Sequence, residues 1–383
     1  MPSEVLNKPR NVLLPANDIR EPITFQFQHS VGALRHSFSV QQTPEEIAWP
    51  GGALWDCGLL LAELLLAMAG IEKCSVVTVL EGEHESSNPK KKTQTTSTTE
   101  LSTRLKTWLS KSLITNSWST VETVLLHTPN LQVVELGCGV GLTGFVASAA
   151  LGAATTILTD LQEVVEVVTH DNVLQNSEVL NTRDAKGSSK RSTKDHNNIQ
   201  AEIPYRILKH FKGGGKVLDM PLCWGNVEQG QAVLDALHYL KPKVNETASK
   251  HSTKRKGKNK QSTTSSLEAA PPLPLLVADR KYPDLILLGD VAYQHKPGAP
   301  SHFDILVETL QQLMPPRVAT EPPSLLMFGI RLRMPASMDL LMLLQEHFVP
   351  VLQEPIPAEL LDQSLRGVKH NMTIHIFQNQ TIQ

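Results

Sequence analysis

The twelve residues Val133-Val-Glu-Leu-Gly-Cys-Gly-Val-Gly-Leu-Thr-Gly144 constrain this chain more than any other stretch. Val133, Val134 and Leu136 predict a buried strand with Glu135 at its end, and the Ala/Leu-rich run Leu142–Leu151 predicts a helix. Between them stand Gly137, Gly139 and Gly141. Strand, glycine turn and helix in that order let a ligand approach bare backbone, where a Cβ would block it. A second strand, Thr155–Thr159, ends at Asp160, a carboxylate placed to accept both hydroxyls of a ribose. Two cofactor classes use such an arrangement: nicotinamide or flavin dinucleotides, and S-adenosylmethionine.

Composition narrows the setting. The 383 residues allow one large domain or two ordinary ones. A formal charge of -2 and a pI near 6.7 give no global pull toward nucleic acid or anionic lipid, and neither is expected as a partner. Cys57, Cys74, Cys138 and Cys223 have neither metal-ligand spacing nor the look of a disulfide framework, which suits a reducing compartment. The start Met1-Pro-Ser-Glu-Val lacks a basic n-region and an apolar h-region, so no secretory signal is expected. Ala53–Ile71 is the one membrane-like stretch, and its Asp56 and Glu63 make it a buried amphipathic helix instead.

The chain divides by pattern. Ile23–Gln28 and Leu34–Val40 alternate with period two around a turn at His29–Gly32, which predicts a β-hairpin ahead of an Asp56–Gly70 helix. This N-terminal extension, residues 1–72, is expected to pack on the core. Residues 73–128 read as a connecting segment with a mobile Ser/Thr/Lys-rich insertion at Glu81–Thr103. Residues 129–383 form the main domain, with further mobile insertions near 177–200 and 243–272. The basic run Lys254–Lys260 in the last reads as a solvated linker, with a nuclear-localisation or polyanion-binding patch as the alternative.

The remainder alternates strand and helix. After the first two strands come helix Leu161–Gln175, strand Lys216–Leu222, helix Val227–Leu240, strand Asp284–Leu288, helix Phe303–Met314, strand Leu325–Ile330 and helix Ala336–His347. Phe348–Leu352 and Met372–Phe377 close the pattern as an antiparallel edge pair. An α/β protein follows: seven strands in a mostly parallel sheet, with helices on both faces.

Gly139-Val-Gly-Leu-Thr-Gly144 satisfies G-x-G-x-x-G with Asp160 about twenty residues on, as a dinucleotide fingerprint asks. Two features point away from it. Glu135 occupies a strand position that dinucleotide folds keep apolar, and the first glycine after the strand is Gly137. A pyrophosphate gains from a helix N-terminus, whereas a cationic sulfonium gains from a carboxylate such as Glu135. Further on, Leu222-Cys-Trp-Gly225 sets Trp224 past the third strand, and Asp284-Leu-Ile-Leu-Leu-Gly-Asp-Val-Ala-Tyr293 ends a strand in Gly289 and Asp290-x-x-Tyr293. Ligands of open α/β sheets bind at the carboxyl ends of strands, where Glu135–Gly139, Asp160, Trp224 and Gly289–Tyr293 all fall.

Together with Gly51-Gly-Ala-Leu-Trp-Asp56 and Leu158-Thr-Asp-Leu161, these motifs resemble the family-16 seven-β-strand methyltransferases, which include the calmodulin-lysine and valosin-containing-protein lysine methyltransferases. The resemblance spans about residues 23 to 378, excluding the insertions, with the motifs in the family's order. It implies a Rossmann-like class I methyltransferase sheet and methyl transfer from S-adenosylmethionine, mostly to lysine ε-amines of folded proteins. It also implies cofactor contacts from Trp55, Gly137, Cys138, Gly139, Asp160, Trp224 and Gly289, and an acceptor-side motif of Asp290 and Tyr293. Cys223 departs from the family pattern, which often has an acidic or basic residue there, and the long loops are not family features.

Each assignment has a structural rival. Asp160 reads as ribose acceptor or as N-cap of the next helix. Trp224 reads as an adenine neighbour or as core, and Trp55 as a cover for the methionine end or as a staple for the N-terminal helix. Asp290 is expected to orient the amine and Tyr293 to wall its channel, against a turn cap and ordinary packing. Leu332-Arg-Met334 is a further candidate for acceptor contact or simple exposure. His29, His36, His127 and His170 show no metal spacing, and none is expected. The expectation is a monomeric protein-lysine methyltransferase of the cytoplasm, with the nucleus as a second compartment and a protein as its partner. Histidine, N-terminal amine or small-molecule acceptors, a non-catalytic binding module and a dinucleotide oxidoreductase stand as alternatives.

Overall fold

The computed structural model describes residues 23–28, 35–43, 52, 54–71, 73–80, 90–97, 107–108, 115–178, 206–208, 215–240, 281–291, 302–332, 335–352, 355–357 and 372–382. Tyr293, Arg333, Met334, the expected insertion near 177–200 from residue 179 onward, and the expected insertion near 243–272 lie outside these residues.

The expected hairpin is present as β1 (Ile23–Gln28) and β2 (Arg35–Val40), paired from Ile23 with Val40 to Gln28 with Arg35. It belongs to a larger antiparallel sheet. β3 (Lys73–Leu80) pairs with β1, and β4 (Lys90–Ser97) pairs with β3, in the order β2-β1-β3-β4. Residues 73–128 are therefore more than a connection, and Lys90–Ser97 is a strand in place of part of the expected mobile insertion. Its polar Lys/Thr sequence hides a β-branched run that a partner strand stabilises, a contribution that hydrophobicity does not register.

The main sheet is built around β5 (Gln132–Leu136). β6 (Thr155–Asp160) lies beside it. Short β7 (Ser177–Glu178) and β8 (Arg206–Leu208) lead antiparallel to β9 (Lys216–Pro221), which runs parallel to β6. On the other side of β5 stands β10 (Leu285–Gly289), parallel to it. A separate two-residue strand, β11 (Arg317–Val318), precedes β12 (Leu325–Arg331), which is parallel to β10. β13 (Val349–Pro350) and β14 (Ile356–Pro357) then flank β15 (Met372–Gln378), itself antiparallel to β12; β16 (Thr381–Ile382) pairs with β11. The seven expected strands are thus present, extended by β7, β8 and β14, and the expected antiparallel edge pair is β13 with β15. The chain winds outward from β5 to β9 and then returns to β10. That reversal between β5 and β10 opens a crevice at the carboxyl ends of the strands.

Near-continuous apolar strands are what a two-sided parallel sheet requires. Val133, Leu285, Leu287, Leu325 and Met327 join one core with the helices Asp56–Met68, Thr115–His127 and Leu142–Leu151. Val134, Leu136, Ile286, Leu288, Leu326 and Phe328 join another with the helices Val227–Leu240, Phe303–Leu313 and Pro335–His347. The Asp56–Met68 helix differs from the amphipathic form expected: Cys57 and the whole run from Leu59 to Ala67 are buried. It packs on the Leu142–Leu151 helix, β10 and β12, so it has almost no solvent face to populate with polar residues. Among the described residues no helix is long and apolar enough to cross a membrane.

A further difference follows β6. The expected continuous Leu161–Gln175 helix is a short α-turn at Gln162–Val164, a π-helical turn at Val165–Thr169 and an α-helix at His170–Asn176. Hydrophobic spacing does not distinguish one wide turn inside a helix. The four-stranded sheet rests on this region and on its neighbour. Phe38 of β2 stacks on Phe145 of the Leu142–Leu151 helix with centroids 5.6 Å apart. Phe38 is 1% exposed, so Phe38→Ala is expected to cost about 3–5 kcal/mol in urea denaturation.

Candidate active site

The loop after β5 has a backbone that ordinary residues resist. Gly137, Gly139 and Gly141 have φ of 64°, 52° and 81°, all in the left-handed region that glycine tolerates. Side chains and neighbouring backbone hold it in place. The Cys138 N–H donates to Thr159 O at 3.0 Å, and the Gly139 N–H donates to Asp160 Oδ2 at 2.8 Å. Thr169, in the π-helical turn, donates its hydroxyl to Gly139 O at 2.6 Å.

Asp160 is half-buried at the end of β6 and accepts a second bond, from the Leu161 N–H to Oδ1 at 2.8 Å. The following helix has Leu161 at its N-cap position with no side-chain cap, so the N-cap role weighed for Asp160 does not occur. Burial raises the Asp160 carboxyl to about 6, against the lowering effect of the Gly139 and Leu161 N–H groups. Its lone pairs are not exhausted by two donors, which leaves capacity for hydroxyls.

The structure gives Glu135 a different place from the expected one beside a sulfonium. Its side chain lies under the Leu142–Leu151 helix, where Oε2 accepts the Gly144 N–H at 2.8 Å. Burial raises this carboxyl to about 8, so it is largely protonated at neutral pH. The physical reason is strand alternation: Glu135 shares a face with Val133, toward the helix that follows the turn. Gly144 is accordingly a packing position, since a Cβ there would meet Leu158 and stand 2.8 Å from Glu135 Oε2. Cys138 is buried, and burial followed by the Asp160 and Glu135 charges pushes its thiol well above the ordinary range. A reactive thiolate is not what this residue offers.

The opposing wall comes from β9 and β10. A Cβ on Gly137 would lie 3.1 Å from Val291 Cγ1 and 3.9 Å from Trp224 Cζ2, which brings the β5, β9 and β10 ends together. Half-buried Trp224 sits in a turn closed by left-handed Gly225, whose N–H donates to Thr309 Oγ1 at 2.8 Å. Asp290, next to Val291, has φ of 51°, a conformation that costs an ordinary residue about 1–2 kcal/mol. Its N–H donates to Gly329 O at 2.7 Å. Gly289 turns toward the Asp56–Met68 helix, where a Cβ would lie 3.5 Å from Gly58 Cα. Thr143 donates its hydroxyl to Gly58 O at 3.1 Å, so the start of that helix, with half-buried Trp55 at its N-cap position, is held beside the start of the Leu142–Leu151 helix.

Gly137, Cys138, Gly139 and Asp160 thus form one wall, with Trp224 and the Asp290–Val291 turn facing it. Glu135 lies beneath, and Gly289 packs against a helix. Thr169 and Gly58 were not foreseen, and Val291 and Thr143 lie inside motifs read above but had been given no role of their own. Thr169 had a faint signal as a hydroxyl within an otherwise apolar Val-Val-Thr run, but nothing local marks its partner at Gly139. Among the described residues, no group of three or more His, Cys, Asp or Glu side chains is arranged to hold a metal ion.

The doubly wound sheet, with its glycine turn at the switch point, has the α/β class I methyltransferase fold. Residues 39–187 match the model of the family described as lysine methyltransferase, and over that span the chain is similar to that family. A comparison with individually curated proteins gives no significant match.

Glu135 makes a prediction about stability. The unfolded chain loses this proton near pH 4.5, while the folded protein holds it to about pH 8. The folded state therefore binds more protons across that interval, and stability falls as pH rises from about 4.5 to about 8. Glu135→Gln is expected to reduce the fall in denaturation free energy between pH 5 and 8; an unchanged slope would contradict a buried, protonated Glu135.

Proposed function

We propose that this methyltransferase transfers methyl groups from S-adenosylmethionine to the lysine ε-amine of a protein substrate. The observation that carries the reading is the crevice between the left-handed glycine turn with Asp160 and the Trp224 and Asp290–Val291 turns opposite. S-adenosylmethionine, when bound, supplies an electrophilic methyl on a sulfonium. The residues fit it: bare backbone from Gly137 to Gly139 admits a close neighbour, Asp160 accepts ribose hydroxyls, and Trp224 offers an indole beside adenine. Trp55 covers the methionine end. The start of the Leu142–Leu151 helix also favours this reading over a dinucleotide, because the Gly144 N–H is already taken by Glu135. A pyrophosphate would seek such N–H groups. Glu135 acts on the cofactor indirectly, by fixing the helix that follows the turn.

Methyl transfer to an amine is an in-line displacement, so the protein's main task is to orient two reactants. A lysine in water has a pKa of about 10.4 and must lose its proton before it attacks. Entry into a crevice lowers that value, and solvent takes the proton. Asp290, held in a fixed left-handed turn, accepts a hydrogen bond from the ε-amine and aims its lone pair; the resemblance assigns the wall of the channel to Tyr293. Gly289 serves the site by letting the Asp56–Met68 helix approach, and with it Trp55. The proposal extends to a monomer of the cytoplasm, with the nucleus as a second compartment.

Calorimetric titration tests the cofactor. Wild type is expected to bind S-adenosylmethionine and Asp160→Ala to lose binding, whereas near-normal affinity in the variant would remove Asp160 from the ribose. Hydroxyl donors favour the ionised carboxylate, so affinity should weaken as pH falls through about 6, by up to about tenfold per unit. Asp290→Ala is expected to leave cofactor affinity unchanged and to lower kcat by about 10²-fold or more. Transfer at the wild-type rate would return Asp290 to a purely structural role.

A further inference from the structure

Between the glycine turn and the four-stranded sheet runs one helix face whose side chains serve both. Thr169, Asn172 and Asn176 stand at i, i+3 and i+7, on the same side of their helix. All three are buried. Asn176 holds Ser39 of β2 at both ends: its Oδ1 accepts the Ser39 N–H at 2.9 Å, and its Nδ2 donates to Ser39 O at 2.8 Å. Asn172 repeats the pattern two residues along, accepting the Gln41 N–H at 2.7 Å and donating to Gln41 O at 3.1 Å. Residues 39 and 41 present their backbone groups to the same side of an extended chain, so the two amides act as a further strand on the free edge of β2.

Asn172 does one thing more. Its Nδ2 also donates to Val140 O, within the glycine turn, at 3.1 Å. A side-chain amide has two donor hydrogens, so this one is shared between the turn and the N-terminal sheet. Thr169 fixes the adjacent carbonyl, Gly139 O, from the same face. Beyond Gln41 the connection continues: the Thr43 N–H donates to Gly52 O at 2.8 Å, and Gln42 Oε1 accepts at 2.9 Å the N–H of Leu54, the residue before Trp55. Leaving such groups without their partners is costly, most of all at the buried side chains of Thr169, Asn172 and Asn176. The positions of the turn and of the sheet edge are therefore not independent.

We infer that Asn172 is a positioning residue that couples the N-terminal sheet to the glycine turn. The sheet holds the turn in its ligand-taking conformation, and a ligand in the turn tightens the sheet's attachment. Such coupling is reciprocal by thermodynamic necessity. The ligand named in the test rests on the cofactor reading above, while the coupling itself can be measured without it.

Amide hydrogen exchange on the unliganded full chain makes the first measurement. Asn172→Ala is expected to speed exchange at Gly139 and Gly141 as well as at Ser39 and Gln41, and Asn176→Ala at Ser39 alone. Titration with S-adenosylhomocysteine makes the second: about tenfold weaker binding for Asn172→Ala and unchanged binding for Asn176→Ala. Thr169→Ser should keep wild-type affinity and Thr169→Val lose it, which separates the hydroxyl's bond from its packing. In wild type, the ligand should slow exchange at Ser39 and Gln41, a reading that survives even if Asn172→Ala fails to fold. Unaltered turn exchange in Asn172→Ala, or equal affinity losses at positions 172 and 176, would overturn the coupling. Turn exchange that responds to Asn172→Ala in a protein that does not bind the ligand would support the coupling and overturn the cofactor reading instead.

Discussion

The site depends on a segment of backbone that has to be held against its own preferences. Three left-handed glycines within five residues give the loop after β5 great freedom when unfolded, and ordering them is costly in entropy. The structure offsets this with polar side chains brought from elsewhere. Asp160 holds the Gly139 N–H, Thr169 holds Gly139 O, and Asn172 holds Val140 O. Glu135 anchors the helix that leaves the turn by its Gly144 N–H. Buried hydrogen bonds of this kind are modest in net worth but expensive to leave unmade, so the loop has one conformation to occupy.

Seen this way, the two acidic residues of the motif divide the work by which face of the sheet they meet. Glu135 points under a helix, is pushed up by burial and behaves as a neutral hydrogen-bonding group at neutral pH. Asp160 reaches the end of β6, keeps partial contact with the crevice and titrates near 6. Only Asp160 is placed to meet a ligand directly. The small residues on the opposite side have a similar logic. Gly289 and Gly329 are neighbours across β10 and β12, and both allow the Asp56–Met68 helix, with Trp55 at its N-cap position, to cross close to the sheet.

Much of this was legible in the residues themselves. The parallel strands announce themselves as short apolar runs because both faces are buried, and the glycine turn is marked by three residues that only an unusual backbone needs. The helices Leu142–Leu151 and Val227–Leu240 begin and end where pattern and glycine placement put them. What escaped reading shares a physical cause. β4 is polar and is stabilised by pairing with β3, the π-helical turn at Val165–Thr169 leaves the apolar spacing almost unchanged, and Asn172 bonds Gln41, 131 positions away. Each is a property of partners distant in sequence. Glu135 was recognised as unusual for its strand, yet its direction could be settled only by the alternation of β5 against its neighbours.

The central claim is methyl transfer to lysine, and it is tested most directly by following the methyl group. The 383-residue chain is incubated with methyl-tritiated S-adenosylmethionine and cell lysate, and the labelled proteins are hydrolysed to amino acids. The account predicts tritium in methylated lysine, dependent on the added enzyme. Tritium confined to small molecules, or found in another amino acid, would contradict it.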